Sequence, residues 1–182
     1  MKVFDAINRR RSIRVYTGKP VPDNKLRRVL EAGRLAPSAR NIQEWIFVVV
    51  RDKDLKKRLS VAANNQEFIA TADSVIVGCA TTTDYVMRCG QTAYPIDVSI
   101  ALTQMTIQAV EEGLGTCWIG SFDAAMAAEI VGVPPGWVVA QLLPLGYPAG
   151  DYTGEKKTKQ RKSLEEIASW ESWGQLSPPR HR

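Results

Sequence analysis

At 182 residues the chain has the length of one globular domain with a substantial core, and 45% hydrophobic against 24% charged residues excludes a disordered or fibrous polypeptide. A formal charge of +5 admits a polyanion, an anionic membrane surface or a phosphorylated cofactor as partner. Most bases, however, are interleaved with acids, as in Arg51-Asp52-Lys53-Asp54-Leu55-Lys56-Lys57-Arg58, which reads as a solvated helix face and argues against nucleic acid. The N-terminus lacks a basic-then-apolar leader pattern and no apolar run is long enough to span a bilayer, so a cytoplasmic protein without a membrane partner is expected. His181 is the one histidine and stands next to the end of the chain. That position argues against Ser-His-Asp or Cys-His catalysis and against a histidine-based metal site, so the hard step of any reaction falls to a cofactor.

Val3 to about Arg9 suits a short helix. It runs into Arg9-Arg10-Arg11-Ser12-Ile13-Arg14, four guanidiniums and a hydroxyl in six residues, followed by Val15-Tyr16. In an extended backbone Arg10, Ser12 and Arg14 project to one side, a face suited to a phosphate and a second acceptor further along the same ligand. The same cluster would otherwise be a basic cap on the helix end. Pro22-Asp23 opens a second helix with Leu26, Val29, Leu30 and Gly33 at helical spacing, closed by the small polar loop Pro37-Ser38-Ala39-Arg40-Asn41-Ile42-Gln43. Trp45–Val50 is predicted as a strand, apolar on both faces and therefore central. A mixed-charge helix around Asp54–Ala63, the turn Asn64-Asn65-Gln66, a short helix and a buried strand Ser74–Ala80 follow.

Pro95–Gly113 is apolar around most of its circumference, which predicts a helix buried in the core or at a subunit interface. Gly113-Leu114-Gly115 stops it, Thr116–Gly120 forms a short strand entering a loop, and Asp123 caps the helix Ala124–Val131. Trp137–Leu143 is a third strand. A basic linker, 156–162, leads to a tail whose Trp170 and Trp173 are expected to dock on a second subunit. Cys79 and Cys117 lie in apolar strings and are expected to be buried, with Cys89 uncommitted. No dinucleotide fingerprint follows Gly113-Leu114-Gly115, no phosphate-binding GxxxxGK[ST] loop occurs, and no carboxylate pair stands out.

Arg10-Arg11-Ser12-Ile13-Arg14, Pro20-Val21-Pro22, Leu35-Ala36-Pro37-Ser38-Ala39-Arg40-Asn41-Ile42-Gln43-Glu44-Trp45, Asn65-Gln66, Gly113–Gly120 and Leu145-Gly146-Tyr147-Pro148 form an ordered series. Over essentially the whole chain this series resembles the FMN-dependent nitroreductase family. The resemblance implies one α+β domain over 1–182, a three-layer α/β/α sandwich with a mixed central sheet and a long buried helix. It further implies an interlocked homodimer with one FMN in each of two interface sites, and the tail 163–182 docked on the partner. Arg10, Arg11 and Ser12 would then bind the phosphate and ribityl end, and Arg14 would sit near the N1/O2 edge of the ring. Pro37, Ser38, Ala39 and Asn41 would come from the opposite subunit, Asn65 would reach the ribityl chain or ring, Ile119 and Gly120 would lie near N5, and Lys159 and Arg161 would close on the phosphate. Arg14 and the Gly120 main chain would tune the flavin, with no catalytic side chain required.

The activity so implied is hydride transfer from NAD(P)H through flavin N5 to a nitroaromatic or quinone, in two alternating half-reactions. Relatives of the same fold perform reductive dehalogenation or flavin destruction, which depend on the stretch matched by Thr81–Tyr94, and a non-enzymatic polyanion-binding module is the remaining alternative. Two positions depart from the family pattern. Glu44 stands where proline is usual, and Phe68 stands where some relatives carry lysine. Taken singly, Ser38–Asn41 reads as a turn, Asn65 as a cap, and Lys159 with Arg161 as a solvated linker.

Overall fold

The computed structural model describes residues 1–81, 84–150 and 160–176. Lys159, His181, most of the 156–162 linker and part of the 81–94 stretch lie outside the described residues. In chain order the elements are α1 (Val3–Arg9), α2 (Asp23–Arg34), a 3-10 turn (Ala39–Asn41), β1 (Trp45–Val50), α3 (Lys53–Ala62), α4 (Phe68–Thr71), β2 (Ser74–Thr81), α5 (Ala93–Glu111), β3 (Gly115–Thr116), α6 (Ala124–Val131), β4 (Trp137–Gly146) and α7 (Leu164–Ile167). Among the described residues no helix is long and apolar enough to cross a membrane.

The four strands lie in the order β1-β2-β4-β3, and every ladder is antiparallel. Parallel character enters through one isolated bridge, Ser12 to Thr116. Along β2 the side chains alternate between two helical layers. Val75, Val77 and Cys79 face the side of α3, α4 and α6, whereas Ile76 and Ala80 face α2 and α5. That division makes the three-layer α+β sandwich and explains why β2 is apolar throughout.

The same division corrects the placement of β1, which is an edge strand. Its Val48 packs into one layer while Trp45, Phe47 and Val49 pack into the other, so both faces are covered by helices although only β2 pairs with it. A run apolar on both faces therefore reports layers above and below, not strands on both sides. Ile46, 53% exposed, marks the open edge.

Helix α5 crosses β2 closely at Gly78, where a Cβ would lie 3.0 Å from Val98 Cγ1 and 3.1 Å from Leu102 Cδ1. Val98, Ala101, Leu102, Met105 and Ala109 are buried against α2 and the sheet, but Ile96, Ile100 and Ile107 are only half-buried. The helix is thus a core helix on one side and an apolar surface on the other. Trp173 is fully exposed and Trp170 is 46% exposed within the single chain.

Candidate functional site

Residues 10–14 leave α1 in extended conformation, starting at Arg10 (φ −53°, ψ 130°). Ile13, 3% exposed, is the anchor: its N–H donates to Thr116 O at 2.9 Å. Tyr16 reinforces it, its hydroxyl lying 3.0 Å from Ile13 O and 3.3 Å from Pro144 O. Burial first, then the Cys117 charge, push the Tyr16 hydroxyl far above its ordinary pKa against the pull of Arg14, so it stays a donor. Tyr16→Phe is expected to lower stability by about 0.5–1.5 kcal/mol in chemical denaturation, the ordinary net contribution of one such bond.

The alternation predicted from sequence is visible in what each side chain acts on. Arg9, Arg11 and Ile13 line a small cleft with Gly115 and Pro148. Arg11 turns back onto α1, donating to Asn8 O at 2.5 Å and Arg10 O at 3.0 Å. On the other side, Arg14, Arg10 and the Ser12 hydroxyl all bear on the Cys117 thiol, whose pKa burial raises and these three groups oppose. Among the described residues neither Arg10 nor Arg14 has a carboxylate partner. Arg10 and Arg14 thus carry guanidiniums without an ion pair among the described residues, on either side of the exposed Ser12.

Asn65 is exposed, with φ 57°, in the turn between α3 and α4. The neighbouring Asn64 donates to Ser121 Oγ at 2.7 Å, Gln66 donates to Ser121 O at 3.3 Å, and Asp123 N–H donates to Ala62 O at 2.8 Å. These bonds tie the turn to the segment following Ile119 and Gly120. Ile119 itself is buried and pairs with Leu142, whereas a Cβ at Gly120 would meet nothing within 4 Å. Main chain is therefore presented to open space beside Asn65.

The 37–41 loop is built with unusual backbone. Arg40, Asn41 and Gln43 have φ of 52°, 57° and 56°, left-handed values that for non-glycine residues concentrate at functional sites. Ser38 Oγ accepts from Gln43 N–H at 3.0 Å, and Gln43 Nε2 reaches Asn41 Oδ1 at 3.2 Å. Two buried acids flank its base, Asp97, which sequence reasoning missed, and Glu44, which it noted only as a departure from the family pattern. Asp97 on α5 accepts from Ala39 N–H at 3.1 and 3.0 Å, and Glu44 leaves the loop with Oε2 3.2 Å from Thr81 Oγ1. The available signal was a single carboxylate set among Ile96, Val98 and Ile100.

Within one chain these groups do not converge. Ser12 bridges Thr116, which pairs with Leu145, itself opposite Ser74 at the start of β2. The 37–41 loop instead leads into Glu44, whose carbonyl accepts from Thr81 N–H at 3.3 Å at the end of β2. Seven steps at about 3.4 Å separate the two ends of β2, roughly 24 Å. Arg161 is exposed and donates to Gln160 O at 2.7 Å, with no contact to the 10–14 segment among the described residues. A cavity of about 730 Å³ lies elsewhere, between α3, α4 and Arg51, and shares only Asn65 with the predicted set. Such an outcome fits a site left half-built in a single chain.

The chain is an α+β sandwich with Arg10, Ser12 and Arg14 at one end of its sheet and the Ser38–Asn41 loop at the other. Its sequence matches the nitroreductase family over residues 7–66 and 60–147. The chain is 35% identical over 148 residues to a putative NADH dehydrogenase/NAD(P)H nitroreductase of Archaeoglobus fulgidus, covering 76% of this chain and 81% of that one. It is 30% identical over 165 residues to an FMN reductase [NAD(P)H] of Bacillus subtilis, covering 81% and 66%. A solved nitroreductase family protein of Clostridium difficile superposes with a TM-score of 0.83 at 28% identity, over 94% of this chain and 99% of that one. The chain belongs to the nitroreductase family and is an oxidoreductase by that membership.

Proposed function

We propose that the protein is an FMN-dependent oxidoreductase that takes hydride from NAD(P)H and passes it to an electron-poor acceptor, a nitroaromatic or quinone, in two alternating half-reactions. The observation that supports the reading is the set Arg10, Ser12 and Arg14, placed on one side by the alternation of an extended backbone, with neither arginine in an ion pair among the described residues, while Arg11 donates back to Asn8 O and Ile13 is buried. The residues fit the cofactor on chemical grounds. A phosphate takes forked, charge-assisted bonds from guanidiniums, and a flat ring system needs main chain unobstructed by side chains, as at Gly120. FMN supplies the hydride chemistry when bound.

In this reading Arg10 and Ser12 hold the phosphate and ribityl end, with Arg11 bracing the segment against α1. Arg14 stabilises negative charge at the ring edge as a preorganised cation. Asn65, Ile119 and Gly120 address the ring, and Pro37, Ser38, Ala39 and Asn41 complete the site from a second copy. The 24 Å separation and the half-exposed apolar side of α5 support such a homodimer. The tail, with Leu164, Ile167, Trp170 and Trp173 exposed, docks on the partner and brings Lys159 and Arg161 to the phosphate.

The purified protein is expected to be yellow, or to become so on adding FMN. Its visible flavin absorbance should bleach anaerobically with NADH or NADPH and return when a nitroaromatic or quinone is added. A colourless protein that gains no flavin signal with excess FMN refutes the reading. Reoxidation by a halogenated phenol but by no nitroaromatic or quinone would replace the acceptor class.

A further inference from the structure

We propose that Asp97 is a positioning residue for the 37–41 loop, holding it through the Ala39 N–H. The inference rests on the flavin reading only for the identity of the ligand that the loop serves.

The loop needs an external brace. Two of its residues, Arg40 and Asn41, and Gln43 just beyond it occupy left-handed φ, which is costly unless the surroundings enforce it. Ser38 Oγ and Gln43 bond within the loop and so cannot fix it to the rest of the chain. Asp97 does: it is 3% exposed, sits in the best-packed helix of the fold, and takes the Ala39 N–H on both oxygens. Ala39 lies between Ser38 and Arg40, so a single bond across 58 positions of sequence fixes the part of the loop that carries the predicted contacts.

A buried carboxylate is costly unless paired with a cation, and among the described residues none forms an ion pair with Asp97. Glu44, 6% exposed, acts on Asp97 with like charge. Arg40 directs its guanidinium over the Tyr85 ring, 5.6 Å from the centroid. Asp84 and Arg88, before α5, are exposed. The cations of α2 and α1 that reach α5 pair with Glu112 and Glu111 at its far end. Burial first, and Glu44 after it, raise the Asp97 pKa against the Ala39 hydrogen bond. A protonated Asp97 still offers a carbonyl oxygen to Ala39, so neutralisation keeps the bond and removes the repulsion. Because the raised pKa belongs to the docked loop, docking is strongest below the ordinary carboxylate pKa and weakens as pH rises through the raised value.

The test measures FMN affinity, by quenching of flavin fluorescence, together with hydrogen exchange of the 37–44 backbone in the flavin-free protein. Asp97→Ala is expected to weaken FMN about tenfold or more and to speed exchange in that segment. Asp97→Asn keeps an acceptor without charge and should restore affinity to within about threefold at neutral pH.

Wild-type affinity and exchange in Asp97→Ala overturn the positioning role. Failure of Asp97→Asn to rescue overturns the Ala39 hydrogen bond as the means of the hold. If wild type binds no FMN, the flavin reading fails instead, and exchange in Asp97→Ala against Asp97→Asn still decides whether Asp97 holds the loop.

Discussion

Arg10→Ala is expected to raise the dissociation constant for FMN about 10- to 100-fold while leaving the fold intact. A hydrogen bond to a charged group contributes about 1.5–3 kcal/mol, and each 1.4 kcal/mol is tenfold in affinity. The Arg10 side chain carries no ion pair among the described residues, and its backbone N–H bond to Ala6 O at 2.9 Å survives the change. The loss should shrink at high salt, because a phosphate held by partly exposed guanidiniums is screened. Arg11→Ala provides the contrast: its guanidinium is bonded to Asn8 O and Arg10 O, so its effect on FMN should be smaller than that of Arg10→Ala. Equal losses in the two variants would count against the one-sided face.

The division of the site between the ends of the sheet makes a stronger test of the same residue. Asn41→Ala, in the loop near the end of β2, should also bind FMN poorly on its own. If each site takes its 10–14 segment from one subunit and its 37–41 loop from the other, a mixed dimer of the Arg10→Ala and Asn41→Ala chains contains one doubly defective site and one wild-type site. Unfolding and refolding the two variants together should therefore recover up to half the wild-type FMN capacity in the mixed dimers. Recovery is not expected if both half-sites belong to one chain. The 24 Å spacing is the structural reason to expect complementation.

How far the sequence disclosed this arrangement depended on whether the relevant signal was local. Helix α2 was legible because Leu26, Val29 and Gly33 repeat at helical spacing, and all three are buried. The cap at Asp123 was legible because an Asx side chain serves its own helix, and it accepts Met126 N–H at 2.9 Å. The 10–14 segment was legible as extended chain, Ser12 bridging Thr116 while Arg11 donates back to Asn8 O. Strand order was not legible, since β1 carries the apolar pattern of an interior strand while occupying the edge. Asp97 was hidden for a related reason: its partner, the Ala39 N–H, is a backbone group that no sequence pattern identifies. Glu44 was legible as a departure from the family but not as a buried charge, because burial depends on α5 and β2 meeting beside it.

Gly115→Val is expected to produce the largest combined loss of stability and FMN binding. Gly115 lies in β3, where an added Cβ would fall on Ile13 Cγ1, 2.9 Å from Ile13 Cβ and 3.0 Å from Pro148 Cγ. None of these is the tip of a long flexible side chain, so relief requires Ile13 to move. Ile13 cannot move alone: its N–H is bonded to Thr116 O, and Tyr16 lies on its carbonyl. Overpacking of this kind costs about 1–3 kcal/mol, which at this chain length lowers Tm by about 2–4 °C for each kcal/mol. Because Ser12 and Arg14 flank Ile13, displacing the anchor also turns the anion face, and FMN affinity should fall by more than stability alone accounts for. Gly120→Ala separates the two effects, since its Cβ enters open space. It should leave Tm within about 1 °C of wild type, as surface substitutions without such contacts do, yet weaken FMN if main chain at 120 lies against the ring. A Gly115→Val protein that loses stability but binds FMN with wild-type affinity would falsify the assignment of residues 10–14 to the phosphate.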